Sequence, residues 1–412
     1  MISKIGAELR HFRAQSHNFK TLVLTNFVYA FVLPVVDMFV AAYIMRSSND
    51  PVKVVIYQLT IYTGIPLTFL INGFLLRHFN VKTLYSFGML LSGVSMTIMM
   101  SLPTLNLVGI GCAGLLMGFS FGFYWSNRDF LSLANTDNSN RNYYYGLETF
   151  LYTLVATAIP IMIGWFLQYQ GGDSQVQRGY QIVTGIVFLI AIAASFVCFR
   201  GTFTQPENRK FIYFKFHPLW RKFLALAALK GLVQGFLVTA PAMLVMLLLG
   251  KEFALGTANS IGAIVAAILM YFIGRYSSPR HRVHILSAGL ILFAIAAAFN
   301  AILFNATGVV LFLMFMLLAR PLLDLAYFPI QYRVINVVGH VENRSEYAYI
   351  LNHEAGLWIG RFLGAGTFLV LAFGISNEVA LRYAVLIAAV VQLASIWIAR
   401  NVLEEAEVLS VN

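Results

Sequence analysis

Apolar residues fall along this chain in blocks of about twenty, separated by short polar stretches. A helix rising ~1.5 Å per residue needs about 20 apolar residues to cross the ~30 Å hydrocarbon core of a bilayer. Twelve blocks reach that length, at roughly 19–45, 54–76, 83–102, 105–127, 143–168, 180–199, 223–249, 257–275, 283–303, 308–332, 347–374 and 379–400. Most connections are short, and the long polar one, 200–222, follows the sixth block near mid-chain. The pattern predicts an all-α membrane protein of twelve transmembrane helices in two six-helix bundles, 19–199 and 223–402. An N-terminal segment 1–18, the central loop 200–222 and a tail 403–412 complete the layout.

Basic residues orient this pattern. Of the 28 Lys and Arg, 20 fall in segments on the side of the N-terminus, five in loops of the opposite side, and Lys230, Arg320 and Arg361 inside blocks. Cytoplasmic loops carry the excess of Lys and Arg, so both termini are expected in the cytoplasm and the chain in the cell (inner) membrane. Composition agrees: 59% of the 412 residues are hydrophobic and only 11% charged, with mean hydropathy +0.76. A soluble domain is about 25% charged. The net charge of +11 therefore reads as orientation, with the lipid bilayer and not nucleic acid as the partner.

Three further features follow from the same pattern. The first 18 residues are too polar, and the run after them too long, for a cleavable signal peptide. Ile2, Ile5, Leu9 and Phe12 recur at helical spacing beside Lys4, Arg10 and Arg13, which fits a helix lying on the inner surface or a basic tail. In the central loop Arg209, Lys210, Lys215, Arg221 and Lys222 alternate with Phe211, Tyr213, Phe214, Phe216 and Trp220. Rings at headgroup level and cations toward anionic lipid would lay this tether on the inner leaflet. Cys112 and Cys198 both fall in apolar blocks, so no disulfide framework is indicated.

An internal repeat is also visible. Tyr124 and Tyr327 share an offset of 203 residues with Asn140-Arg141 and Asn343-Arg344. Half-length offsets mark duplicated architectures, and this one sets the fourth block against the tenth.

Twelve blocks in two sets of six, a basic central loop and a half-length offset together resemble the major facilitator superfamily of secondary transporters. Its signature after the second span, G-x-L-x-D-R-x-G-R-K, aligns with Gly73-Phe74-Leu75-Leu76-Arg77-His78-Phe79-Asn80-Val81-Lys82. Gly73, Leu75 and Lys82 are kept, whereas Arg77 stands at the acidic position. A drug-antiporter signature in the fifth span, G-P-x-x-G-G, is half matched by Ile159-Pro160-Ile161-Met162-Ile163-Gly164. Pro160 has no N–H to donate, and Gly164 permits close helix approach. The resemblance implies a central cavity between the halves, lined by the first, fourth, seventh and tenth spans and opened alternately to either side.

Charges at membrane depth are costly and mark functional positions. Counted from boundaries near Arg333 and Tyr347, a rise of ~1.5 Å per residue lifts Asp324 roughly 13 Å, Glu354 roughly 10 Å, Arg320 roughly 20 Å and Arg361 roughly 21 Å into the layer. Two tiers are expected, carboxylates below and guanidiniums above. Arg320 and Asp324 stand at i and i+4, Glu354 and Arg361 at i and i+7, so each pair can share a helix face. Three roles fit the cluster: a packing network, a carboxylate that takes up a proton, or an arginine that grips an anionic solute.

Lys230 and Gln234 in the seventh span either face the cavity or let the lysine snorkel. Asp37, after Pro34, either binds a proton or pairs near Arg46. Arg77, Arg128, Asp129, Arg141, Glu148 and Arg344 are candidates for an inner gate. Tyrosines at the inner helix ends, Tyr124, Tyr143 and Tyr347 among them, fit an interfacial belt or a solute-stacking surface, and His353 beside Glu354 fits a relay or a packing role.

Enzyme chemistry is not expected. No G-x-x-x-x-G-K-[ST] loop or H-E-x-x-H pair occurs, so neither a cofactor nor a metal is implied. The expected function is a secondary active transporter of a small organic solute by alternating access, coupled to protons. An uncoupled facilitator, a multidrug exporter, or a non-transporting membrane sensor of the same fold are the alternatives.

Overall fold

In the computed structural model, described for residues 10–136, 140–170, 173–203, 212–276, 279–344 and 346–411, the chain is helical nearly throughout. Residues 1–9, with their basic-apolar pattern, and Arg209, Lys210 and Phe211 of the central loop lie outside the described residues. So do the side chains of Arg141, Tyr145 and Tyr347.

Twelve helices among the described residues are long and apolar enough to cross a membrane. In order they are His17–Ser48, Pro51–Leu75, Val81–Ser101, Leu107–Ser132, Leu147–Tyr169, Gln175–Phe199, Pro218–Leu248, Glu252–Leu269, Arg282–Leu303, Ala306–Glu342, Ala348–Gly374 and Asn377–Ser410. The apolar blocks foresaw each one. The tenth and twelfth run furthest past the blocks that mark them, the tenth by ten residues, to Glu342, and the twelfth to Ser410, so the tail is helical. Polar residues do not end a helix that is already propagating, because each added residue brings its own backbone bond.

Termini are capped locally. Ser16 accepts from Phe19 N, Asp50 from Val52 N ahead of Pro51, Asn106 from Gly109 N and Asn305 from Gly308 N. Each satisfies a first-turn N–H that the helix leaves without a partner. Asn49 ends the first span in the left-handed region at φ 48, which lets the second span begin two residues later.

Backbone breaks punctuate the spans at matching places in the two halves. The first span is α-helical to Ala30, turns at Phe31–Val32 before Pro34, and continues as a π-helical turn, Val35–Phe39, before Val40–Ser48. The seventh breaks at Val238–Thr239 before Pro241 and resumes at Ala240. Proline removes a helix N–H and crowds the carbonyl four residues back. Pro34 and Pro241 are 207 residues apart, near the repeat offset found in the sequence.

Glycines set how closely the helices approach. Gly114, Gly118 and Gly122 of the fourth span lie against the backbone of the second, and a Cβ on Gly118 would overlap the Ile61 carbonyl. In the second half, Gly356, Gly360 and Gly364 of the eleventh span lie against Leu224, Ala228 and Leu232 of the seventh, while Gly231 and Gly235 return the contact. Small residues four apart allow such backbone approach between membrane helices. The halves meet most extensively along two seams, the fifth span on the eighth and the second on the eleventh. In the first seam, a Cβ on Gly164 would sit 3.0 Å from the Glu252 carbonyl. The residues that match the drug-antiporter signature thus belong to an interface between the halves.

The even number of spans places both chain ends on one side, called here the terminal face, with the far face opposite. At the far face the outer ends of the first and seventh spans pack together. Among the described residues, the fourth and fifth spans share no extended contact with the tenth and eleventh.

Candidate functional site

Near mid-span the second half holds two ion pairs. Lys230 Nζ lies 3.0 Å from Asp324 Oδ1, and Arg361 Nη1 lies 3.2 Å from Glu354 Oε2. Arg361 Nε also donates to Gln234 Oε1 at 3.1 Å. The Glu354–Arg361 pair has the i, i+7 geometry read from the sequence. Asp324 does not bond to Arg320, one turn away; it bonds to Lys230 on another helix. A compact ammonium on a flexible stem can reach across, whereas Arg320 is exposed and forms no ion pair with Asp324.

Aromatic rings frame the cations. Lys230 Nζ sits 4.0 Å from the Tyr327 ring centre and 4.1 Å from that of Phe328, so it faces this cluster and does not snorkel. Tyr327 bonds through its hydroxyl to His353 Nε2 at 2.6 Å, and His353 is buried against Phe223. His353 is thus tied to Lys230 through one tyrosine, and Tyr327 lines the site as well as the helix end.

The cluster touches the first half at Tyr62. Its ring faces the Arg361 guanidinium at 4.7 Å, and its hydroxyl donates to the Gln234 carbonyl oxygen at 3.0 Å. No sequence signal marked Tyr62, one of 20 tyrosines in the chain. Asp37, in the π-helical turn of the first span, is exposed and does not pair with Arg46.

Arg46 instead meets Glu252, the first residue of the eighth span, at 2.6 Å across the far face. Tyr180 also donates to Glu252 at 3.3 Å, and the Glu252 side chain is only 6% exposed. Sequence reading missed this bridge. Each partner sits at the end of an apolar block, where charges are ordinary, and 206 positions separate them.

The candidate gate residues divide. Arg128 bonds to Glu148 and, at 2.7 Å, to Asp129. Asn26 donates to Glu148 Oε1 at 2.7 Å and to the Tyr144 hydroxyl at 2.9 Å, and Tyr85 donates to Asn26. These bonds join the first, third, fourth and fifth spans within the first half. Arg77 is exposed, over the Phe74 ring at 5.6 Å. Arg344 donates to the Lys215 carbonyl at 2.6 Å and lies over Tyr213 at 4.3 Å, which pins the end of the central loop to the second half. Arg77 and Arg344 therefore stand apart from the Arg128 network.

Two six-helix halves, with their polar side chains gathered at the seam in mid-span, are the architecture of a polytopic membrane transporter. The sequence matches the family described as Major Facilitator Superfamily over residues 22–352, and the chain belongs to that superfamily. It is 25% identical over 363 residues to the uncharacterized protein YqgE of Bacillus subtilis (strain 168), covering 85% of this chain and 82% of that one. An uncharacterized protein in the sodM 3' region of Geobacillus stearothermophilus is 23% identical over 186 residues, covering 45% of this chain and 84% of that one.

Among solved structures, a bacterial homologue of the human drug peptide transporters PepT1 and PepT2 superposes with TM-score 0.69 at 12% identity. That match covers 95% of this chain and 99% of the other. A bacterial homologue of the iron transporter ferroportin, in an inward-facing state, gives 0.66 at 15% identity, covering 93% and 100%. The nucleoside transporter NupG gives 0.62 at 11%, covering 94% and 99%. At these identities the likeness is one of fold.

Proposed function

We propose that this protein is a proton-coupled secondary transporter of a small organic solute, working by alternating access with the terminal face in the cytoplasm. The observation that carries the reading is the contact of Arg361 with both halves at once: Glu354 and Gln234 on one side, Tyr62 on the other. A proton on Glu354 removes the charge that holds Arg361 in its own half. The guanidinium is then free for solute or for the first half, so the protonation state biases how the halves meet. Lys230 and Asp324 supply a second such pair, with Tyr327 and His353 beside it.

The far-face bridge Arg46–Glu252 supports the same cycle. It joins the halves on the side where they are closed, and it must break when that side opens. The excess of basic residues in the segments of the terminal face supports their placement in the cytoplasm.

Purified protein in liposomes is the test. Uptake of a transported solute against its gradient is expected when a pH gradient is imposed. Equal flux with and without that gradient would exclude coupling and leave an uncoupled facilitator.

A further inference from the structure

The mid-span cluster contains three cations, Lys230, Arg320 and Arg361, and three carboxylates, Asp37, Asp324 and Glu354. Two pairs are closed within the second half. One cation and one carboxylate are left over, and they stand on opposite halves: Arg320 on the tenth span and Asp37 on the first. Both are exposed. Among the described residues, neither has an ion-pair or hydrogen-bond partner.

The two side chains nevertheless lie within electrostatic reach of each other. Asp37 lies in the electrostatic field of Arg320, and Tyr62 in the fields of both. The backbone agrees with this placement. Asp37 is the middle residue of the π-helical turn Val35–Phe39; such turns recur at functional sites, and irregular backbone at membrane depth is tolerated where protein buries it or where it lines a cavity. Charges held at that depth without partners are costly.

A solute with one charge cannot satisfy both groups. An anion on Arg320 faces the Asp37 carboxylate, and a cation on Asp37 faces the guanidinium. We infer that the site takes a small zwitterion, its carboxylate on Arg320 and its ammonium on Asp37. The inference rests on the transport reading above and narrows its substrate class. Guanidinium binds carboxylate bidentately, and a carboxylate accepts short charge-assisted bonds from an ammonium. Such a solute also bridges the halves: each end holds a different bundle, so binding draws the seam together from within. An ion of either sign holds one bundle only.

The probes are α,ω-amino acids of two to six carbons, which scan the distance between the two charges, each with its matched fatty acid and alkylamine. Thermal stabilisation of the purified full chain is the readout. At least one amino acid should act at a concentration ~tenfold below its singly charged counterparts, equivalent to ~1.4 kcal/mol. Asp37→Asn should reduce that amino acid to the level of the fatty acid, and Arg320→Gln to the level of the alkylamine. Asp37→Glu, which moves the carboxylate out by one methylene, should shorten the preferred probe.

Equal or better stabilisation by a singly charged probe overturns the inference, as does stabilisation by no member of the series. Flux in liposomes separates it from the transport reading. A zwitterion that binds without crossing sinks transport and keeps this site. Gradient-driven flux that prefers a singly charged probe keeps transport and sinks the zwitterion.

Discussion

Arg361 is almost fully buried and makes three kinds of contact: an ion pair to Glu354, a hydrogen bond to Gln234 and a ring face at Tyr62. Removing one partner of a buried pair leaves the other charge uncompensated, which costs about 3–5 kcal/mol in a dry interior and less where water reaches. Arg361→Met is therefore expected to destabilise by ~2–4 kcal/mol, and adding Glu354→Gln should recover part of that loss. Thermal unfolding of the single and double variants measures it. In the coupling role, Glu354→Gln alone should abolish uphill transport while solute exchange continues; retained accumulation under a pH gradient would remove Glu354 from the mechanism. The Glu354–Arg361 pair was legible because both lie on one helix, whose period is fixed by its own hydrogen bonds. The partner of Asp324 was not. Helical spacing says that Arg320 can reach it, but Lys230, 94 positions away, takes it.

At the scale of elements, backbone contact through glycine aligns the pairs. Gly235 packs on the Arg361 carbonyl, and Gly360 on that of Ala228, so the seventh and eleventh spans approach until Gln234 and Arg361 can bond. Gly360→Val has nowhere to place its side chain except into that backbone. It should cost about 1–3 kcal/mol and push Arg361 away from Gln234, seen as a lowered unfolding temperature together with weakened transport. A variant that melts like the parent would show that the seam has slack. The four-residue glycine spacing stands in the sequence, yet it does not say which helix it faces. Gly164 likewise read as a site of close approach, and only the fold assigned Glu252 and Phe253 as its neighbours.

For the whole molecule, the decisive contact is the far-face bridge. Arg46 and Glu252 belong to different halves and meet at the far face, where the outer ends of the first and seventh spans also pack together. Glu252→Gln should weaken that closure and raise the population open to the far side. With Cys112 and Cys198 replaced, a cysteine at Met38, beside Asp37 in the first span, should react faster with a membrane-impermeant maleimide from the far side once Glu252→Gln is introduced. Unchanged labelling would mean that helix packing closes that face without the bridge.

The sequence by itself determined the number of spans, their grouping in two halves, and which residues carry charge at depth. These follow from local physics: an apolar block of membrane length becomes a helix wherever it sits, and a charge within it stands out against its surroundings. Tertiary structure alone decided the partners: Lys230 for Asp324, Tyr62 for Arg361, Glu252 for Arg46, and, among the described residues, none for Arg320 and Asp37. Pairing depends on distances between helices far apart in the chain, set by glycine contacts and proline breaks acting together. No local pattern encodes that sum.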